Sequence, residues 1–82
     1  MKVWYGEYGI HKIKIENRIS NCTLYIDDEI VDLDSSLISS KLRGELPSGD
    51  KVIAVVGQGL TGVKCKVMVG NKIIPLVRKY EF

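Results

Sequence analysis

The sequence predicts an all-β protein, an antiparallel β-sandwich of about eight strands. Three observations predict it: apolar residues recur at every second position, turn residues separate these stretches, and two stretches have the form of tight hairpins. The chain has 82 residues, which suits a single all-β domain over 1–82 and is too short for two. Several short strands in one small domain favour two packed sheets.

Alternation marks the individual strands. His11, Ile13 and Ile15 alternate with charged residues, and the stretch 63–69 alternates valine or cysteine with lysine or methionine. These stretches predict half-buried strands with one apolar face. The stretch 52–56 is continuously apolar, which is typical of a strand buried on both faces.

Two-residue loops connect two pairs of strands. Asp27-Asp28 and Gly70-Asn71 each separate apolar stretches, and glycine at the first loop position suits a type II′ turn. If both loops have two residues, counting outward from them sets the register. The predicted cross-strand pairs are Leu24–Val31, Cys22–Leu33, Tyr25–Ile30, Val67–Ile74, Cys65–Leu76 and Met68–Ile73. Each hairpin then has a cysteine and a leucine on its inward face.

The two hairpins are similar enough to predict an internal repeat. Residues 22–33 align without gaps on residues 65–76, and shorter matches precede both. The alignment divides the domain into halves of about 1–36 and 37–82, each with four strands. A unit of about 40 residues cannot bury its own apolar face, so the halves should pack on each other. Pro75 lacks an N–H for a ladder, which predicts that its strand lies at a sheet edge.

The segment Ser35–Leu46 allows two interpretations. As a strand, it places Ile38, Ser40 and Leu42 on one face, and the repeat favours this interpretation. As a short helix over 36–43 with a serine cap, it gives an order of elements that resembles a small OB-like β-barrel. We expect the strand and keep the barrel as the alternative fold.

The faces that point away from the predicted core are also apolar near the hairpin tips. The register places Tyr25 opposite Ile30, and Met68 opposite Ile73, on the side away from the cysteines. Unless loops or the other hairpin cover them, such residues mark contact surfaces between proteins. We therefore expect a non-catalytic protein-interaction module, with a homodimer through either face as its specific form.

The charge distribution favours an alternative function. The net charge is only +2, but the acids concentrate over 21–50 and the cations over 64–82. A basic ribbon of this kind could contact phosphates, whose binding is largely electrostatic. The candidate anion-contact residues are Lys64, Lys66, Lys72, Arg78 and Lys79. Nucleic-acid binding is therefore the alternative, against the simpler interpretation that alternating lysines mark the solvent face of a strand.

Motifs for catalysis and cofactors are weak. Residues 57–62 spell G-x-G-x-x-G, but the dinucleotide motif needs a following helix, whereas 63–69 has the pattern of a strand. A glycine-rich hairpin loop explains this run better. His11 is the only histidine, and its alternation with Ile13 predicts a partly buried, hydrogen-bonded residue. We expect no enzymatic activity, no cofactor and no metal ion.

Cysteine usage and hydropathy bear on the compartment. Cys22 and Cys65 have no C-x-x-C spacing, which favours two buried thiols over a metal site or a disulfide and leaves their redox state open. No apolar run is long enough to span a bilayer, and the first residues lack the apolar region of a signal peptide. We expect a cytoplasmic protein without a membrane segment.

Aromatic residues gather at the two ends of the chain. They are Trp4, Tyr5, Tyr8, Tyr80 and Phe82. If the first and last strands meet, these side chains form one cluster that either closes the core or makes a contact site.

Three patterns in the first part of the chain are similar to those of a known family. Trp4, the strand 9–16 with its Gly-x-His-x-Ile pattern, and the hairpin 24–28 resemble the repeat of Fas apoptotic inhibitory molecule proteins, and small bacterial all-β proteins of the same pattern. Asp28 stands where that pattern has a turn glycine, and the second half of the chain lacks the aromatic-rich pattern. The resemblance implies a β-sandwich without an active site and a role in protein interaction.

Overall fold

The computed structural model describes residues 2–18, 20–35, 39–60 and 62–80, and within these ranges the chain forms nine β-strands and no helix. The strands are β1 (Lys2–Tyr8), β2 (His11–Asn17), β3 (Cys22–Ile26), β4 (Glu29–Asp34), β5 (Ser39–Glu45), β6 (Lys51–Gly59), β7 (Gly62–Val69), β8 (Lys72–Ile74) and β9 (Val77–Tyr80).

The strands form two antiparallel sheets that enclose one core. The five-strand sheet has the order β4-β3-β2-β1-β9, and the four-strand sheet has the order β5-β6-β7-β8. The predicted all-β sandwich is confirmed, and among the described residues the sheets do not close into the alternative barrel. The expected four-plus-four arrangement becomes five plus four because the last strand, β9, returns to pair with β1.

The core lies between the two inner faces. Ile13, Ile15 and Leu24 are fully buried on the five-strand sheet, and Leu42 and Val67 are fully buried on the four-strand sheet. These residues occupy alternate positions of their strands, so the two-residue period of the sequence corresponds to the inward face of each sheet. Removal of this apolar surface from water is the main favourable contribution to folding.

The ambiguous segment is a strand where the structure describes it. β5 pairs with β6 over its whole length, from Ser39 opposite Gly57 to Glu45 opposite Lys51. The helix proposed over 36–43 is therefore wrong for its second half, and residues 36–38 lie outside the described residues. Ser40 and Leu42 are both buried, at alternate positions of β5. A strand buries both side chains on the one face that completes the core, and this burial favours the strand over the helix.

Both two-residue hairpin loops are present, with different turn geometry. Asp27 and Asp28 have φ values of 51° and 68°, the pattern of a type I′ turn. Gly70 has φ 55°, whereas Asn71 is not among the residues with positive φ, which agrees with the expected type II′ turn. The chain therefore holds two aspartates in the left-handed region where glycine is usual.

The predicted register of the first hairpin is right near the loop and wrong beyond it. Tyr25 lies opposite Ile30 as expected, but the register then shifts, so that Leu24 lies opposite Asp32 rather than Val31. A β-bulge adds one residue to β4 and moves Leu33 from Cys22 to Thr23. The bulge turns Asp32 toward the four-strand sheet, where its carboxylate accepts a hydrogen bond from the N–H of Arg43.

The second hairpin ends early. Val67 pairs with Ile74 and Met68 with Ile73 as predicted, but β8 stops at Ile74. The chain then crosses at Pro75 to the other sheet, so the predicted pairing of Cys65 with Leu76 is wrong. The edge position predicted from Pro75 is confirmed, since β8 is the outer strand of its sheet.

Two further expectations for β6 need correction. Its apolar run is buried on one face only: Val52, Ala54 and Val56 are buried, whereas Val55 is 43% exposed. The glycine-rich loop is also shorter than expected, because β6 continues to Gly59 and β7 begins at Gly62. A Cβ atom at Gly59 would lie 3.2 Å from the Gly62 carbonyl oxygen and would also displace the flexible end of the Lys64 side chain.

The aligned hairpins hold matching places in the two sheets. Residues 22–33 form most of β3 and β4, and residues 65–76 cover most of β7 with β8, which in each sheet are the third and fourth strands of a meander. The internal repeat itself, with halves 1–36 and 37–82, stays a prediction.

Candidate interaction surfaces

The outer face of the four-strand sheet carries a continuous apolar row. Register places Ile53 beside Met68, and Met68 beside Ile73, with Arg43 at the end of the row. Ile73 is 62% exposed, and Ile53 and Met68 are half-buried. Neighbouring strands lie about 4.8 Å apart, so these side chains are direct neighbours on one apolar surface, the contact face.

Opposite charges lie on the two sides of this row. Two residues along the strands from this row, a distance of about 7 Å, lie Lys41, Val55 and Lys66. The same step in the other direction leads to Glu45 and Lys51, whose side chains are 3.5 Å apart. A concavity of about 300 Å³ at this second side is lined by Asp50 together with Ile53 and Met68. The contact face therefore has a basic side and a side that carries acids.

The outer face of the five-strand sheet has a different character. Tyr25 donates a hydrogen bond from its hydroxyl to Oε1 of Glu16 at 2.7 Å, and the Lys14 ammonium lies 4.3 Å from the centre of the Tyr25 ring. Arg18 also donates to Oε1 of Glu16, at 3.1 Å. Ile30 is 62% exposed beside this group. Polar contacts thus cover Tyr25, whereas Ile30 stays exposed as expected.

Glu16 is a nearly buried carboxylate within that polar group. Burial alone would raise its pKa, but hydrogen bonds from Tyr25 and Arg18 and the charge of Lys14 together lower the pKa below the ordinary value of 4.5. The same hydrogen bond raises the pKa of the Tyr25 hydroxyl. The sequence pattern predicted none of these contacts, because Glu16, Arg18 and Tyr25 meet only when β2 pairs with β3.

A groove opens beside β7, lined also by residues of β1, β8 and β9. Its apolar lining includes Trp4, Val63, Ile73 and Leu76, and three cations, Lys64, Lys66 and Arg78, also line it. Its volume is about 520 Å³. The groove lies at the side of the sandwich where the chain crosses from β8 to β9.

The five candidate anion-contact residues do not share one surface. Lys64 and Lys66 lie on the outer face of the four-strand sheet, next to Gly57 and Val55. Arg78 lies opposite Trp4 and lines the groove, and Lys79 lies on the other side of β9, 5.4 Å from the Tyr5 ring centre. Lys72 follows the β7–β8 turn. The larger basic surface includes Lys41 and Arg43, which sequence reasoning missed because they lie far away along the chain.

His11 has the environment that its position predicted. Its Nδ1 atom lies 2.7 Å from Oδ2 of Asp27, and its side chain is mostly buried. The other oxygen of Asp27 accepts the backbone N–H of Lys12 at 2.8 Å, and these contacts lower the pKa of the Asp27 carboxyl, the His11 contact most. The contact between His11 and Asp27 links the start of β2 to the β3–β4 turn, so its role is structural.

The metal-ligating residue types and the G-x-G-x-x-G run can be located in the described residues. No group of three or more histidine, cysteine or carboxylate side chains is placed to hold a metal ion there. In the G-x-G-x-x-G run, Gly57 to Gly59 end β6 and Gly62 begins β7, which continues as a strand and not as the helix that dinucleotide binding requires. Thr61 of this run lies outside the described residues.

Both cysteines are free thiols. Cys22 is buried and its Sγ donates to Oδ1 of Asn17 at 3.1 Å. Cys65 is half-buried, and its burial, with a smaller effect of Cys22, raises the pKa of the Cys65 thiol to about 12.

The aromatic residues at the two ends of the chain divide between faces. β1 and β9 pair as expected, but Trp4 and Tyr8 pack on the core while Tyr5 lies on the outer face. The Tyr80 side chain and Phe82 lie outside the described residues.

The fold and these surfaces define a small antiparallel β-sandwich protein. No protein-family model matches the chain, and neither curated proteins nor solved structures give a significant match. The resemblance to the Fas apoptotic inhibitory molecule repeat therefore stays a prediction from the residues. In the described part of the chain no helix has the length and apolar character to cross a membrane.

Proposed function

We propose that this chain is a non-catalytic protein-interaction module that associates with a second copy of itself through the contact face. The observation that carries the proposal is the apolar row of Ile53, Met68 and Ile73 across adjacent strands. Contiguous apolar surface that faces water is uncommon on monomeric proteins and is characteristic of association sites.

The charges beside the row support a second copy as the partner. A two-fold axis along the row turns one sheet over onto the other and reverses its strand direction. Ile73 then faces Ile73, and Arg43 faces Arg43 at the other end of the row. The basic side of one copy, with Lys41 and Lys66, faces the side of the other that carries Glu45 and Asp50 together with Lys51. Such complementarity fixes orientation and register in an interface.

The other outer face is a weaker candidate. Ile30 and Ile73 are equally exposed, at 62%. However, Tyr25 beside Ile30 is bound to Glu16 and covered by Lys14, and an interface there would bury a charged group that already has its partners. The two isoleucines therefore form a matched pair for an experiment.

The experiment compares Ile73→Lys with Ile30→Lys by sedimentation velocity and light scattering over a micromolar concentration series. We expect the unchanged protein and Ile30→Lys to dimerise with rising concentration, and Ile73→Lys to remain monomeric. Met68→Lys should behave like Ile73→Lys. A monomer in every case, or a dimer that only Ile30→Lys disrupts, contradicts the proposal.

Nucleic-acid binding is the alternative, and one observation favours it. Lys41, Arg43, Lys64 and Lys66 bring four cations to one outer face. Phosphate binding by this face requires affinity for a single-stranded oligonucleotide that falls steeply with salt. An oligonucleotide that binds without salt dependence, or does not bind, removes this alternative.

A further inference from the structure

In the part of the chain that the structure describes, strand β7 is unpaired along one edge from Gly62 to Lys66. It extends over eight residues, but β8 pairs only with Val67, Met68 and Val69. β8 is short because Pro75 follows Ile74, and the chain there leaves for the other sheet. Within the described residues, no strand pairs with positions 62–66 on the side away from β6.

The register identifies which backbone groups lie on that edge. The Gly70-Asn71 loop has two residues, so Val69 and Val67 direct their N–H and C=O groups toward β8. Residues of the same parity continue this direction along the strand. Val63 and Cys65 therefore each direct one donor and one acceptor away from β6, toward the open edge. An edge of this kind is a template for another strand.

The side chains on the two sides of the edge differ in character. Val63 and Cys65 face inward and, with Trp4, line the groove. Lys64 and Lys66 alternate with them and lie on the outer face. A strand added here would place every second side chain over an apolar groove and the others beside two ammonium groups.

We propose that the β7 edge at Val63–Lys66 binds an extended segment of a partner protein, in which apolar residues alternate with acidic ones, by addition of a strand. The backbone groups of Val63 and Cys65 supply the ladder hydrogen bonds. The groove receives the apolar side chains, and Lys64 and Lys66 pair with the acidic ones across the strands.

Charge selects this occupant over a second copy. An antiparallel pairing of two β7 edges would bring Lys64 and Lys66 of one copy beside the same lysines of the other, and like charges across adjacent strands are unfavourable. Lysines on an edge strand are also a general protection against such self-pairing. An acidic segment removes this repulsion and replaces it with opposite-charge pairs.

This site goes beyond the contact face, although Lys66 and Ile73 border both. The Met68→Lys variant separates the two proposals, because Met68 is not among the described residues that line the groove. It should abolish the proposed self-association and leave strand addition at the β7 edge unchanged.

The test uses amide hydrogen exchange and chemical shifts of the full chain in solution. Two capped octapeptides are compared, one alternating glutamate with valine and one alternating lysine with valine. We expect the glutamate peptide to saturate the site, to bind at least about tenfold more tightly than the lysine peptide, and to slow amide exchange at Val63 and Cys65. Val67 and Val69, which already pair with β8, serve as internal controls.

Two variants separate backbone pairing from charge. Val63→Pro removes the outward N–H without removing a β6–β7 hydrogen bond, and should weaken the glutamate peptide about tenfold or more. Lys64→Glu with Lys66→Glu should reverse the preference between the peptides, which keeps the test decisive if the proline variant does not fold.

Three results overturn the proposal. The first is slow exchange at Val63 and Cys65 without peptide, because the edge is then already covered. The second is equal binding of both peptides, or of neither. The third is an oligonucleotide that binds at Lys64 and Lys66 while neither peptide protects the two amides.

Discussion

Asp32 in β4 accepts a hydrogen bond at its Oδ2 atom from the backbone N–H of Arg43 in β5, with a distance of 2.8 Å. β4 and β5 are the outer strands of different sheets. The carboxylate therefore joins the two sheets along one side of the sandwich and occupies a donor on the unpaired edge of β5.

The Asp32 contact predicts a measurable loss of stability on truncation. Asp32→Ala should lower the free energy of unfolding by about 1 kcal/mol, because it leaves the Arg43 N–H to solvent and unties the two sheets. Asp34→Ala is the control: it lies on the same strand, and no side-chain hydrogen bond of Asp34 occurs within the described residues. Equal losses for both variants in urea titration would show that the contact has no specific role.

The type I′ turn predicts a stabilising substitution. Asp28 has φ 68°, and glycine adopts this conformation without the steric cost of a side chain. Asp28→Gly should raise the free energy of unfolding by up to about 1 kcal/mol. Asp27→Gly should instead be destabilising, because Asp27 holds His11 and the N–H of Lys12. Thermal unfolding of both variants measures the difference, and the same sign for both contradicts this account.

The Glu16 carboxylate predicts a specific loss of stability in acid. Its folded pKa is below 4.5, so its contribution is fully present above pH 4.5 and declines as the pH falls through the folded pKa. Glu16→Gln should cost about 1–2 kcal/mol near neutral pH and less in acid, where the native glutamate is itself protonated. Urea titrations across this pH range provide the measurement.

The control for Glu16 is Glu7→Gln, a change at an exposed glutamate of β1. It should shift stability little at any pH. A Glu16→Gln effect that stays constant down to strongly acidic pH would mean that packing, not the ionised carboxylate, determines the cost.

The Cys65 thiol should react slowly with alkylating agents. A pKa of about 12 instead of 9.0 leaves roughly a thousandfold less thiolate below pH 9. In Cys22→Ser protein, iodoacetamide modification of the folded state should be slower by a factor of this order than in urea. Mass spectrometry follows the rate, and equal rates in the folded and unfolded protein would contradict the burial of this thiol.

Gly6 should tolerate no side chain. A Cβ atom there would lie 2.8 Å from Cδ2 of Leu76 and 3.2 Å from the Pro75 carbonyl oxygen. Gly6→Ala should therefore lower the free energy of unfolding by about 1–3 kcal/mol. Gly57→Ala is the matched change in a strand, since its Cβ would meet only Ser39 at 3.9 Å, and it should be neutral or slightly stabilising.

Alternation and turn residues were sufficient to predict most of the strands and both hairpin loops. The pairs nearest the loops, Tyr25–Ile30 and Met68–Ile73, were predicted correctly because a short loop determines the local register. Beyond a few residues the prediction failed. The bulge near Val31 and the early end of β8 depend on contacts with the other sheet, which alternation along one strand does not contain.

The candidate surfaces were predicted only in part. Met68 and Ile73 were recognised from their parity, but Lys41, Arg43 and Ile53 became their neighbours only when β5, β6 and β7 assembled. The order of strands in a sheet depends on pairing between residues far apart in the sequence. Its free energy includes the entropy of closing long loops, which no local sequence pattern shows.

The sequence by itself determined the all-β class, the positions of most strands and the two tight turns, because these depend on side-chain period and backbone preference. The tertiary structure alone decided that β9 joins the first sheet and that Asp32 bridges to Arg43. It also decided that, among the described residues, no strand covers the β7 edge at Val63 and Cys65. These features arise where Pro75 and the bulge change the direction of the chain. The direction that the chain takes there depends on which apolar surfaces the two sheets can bury together.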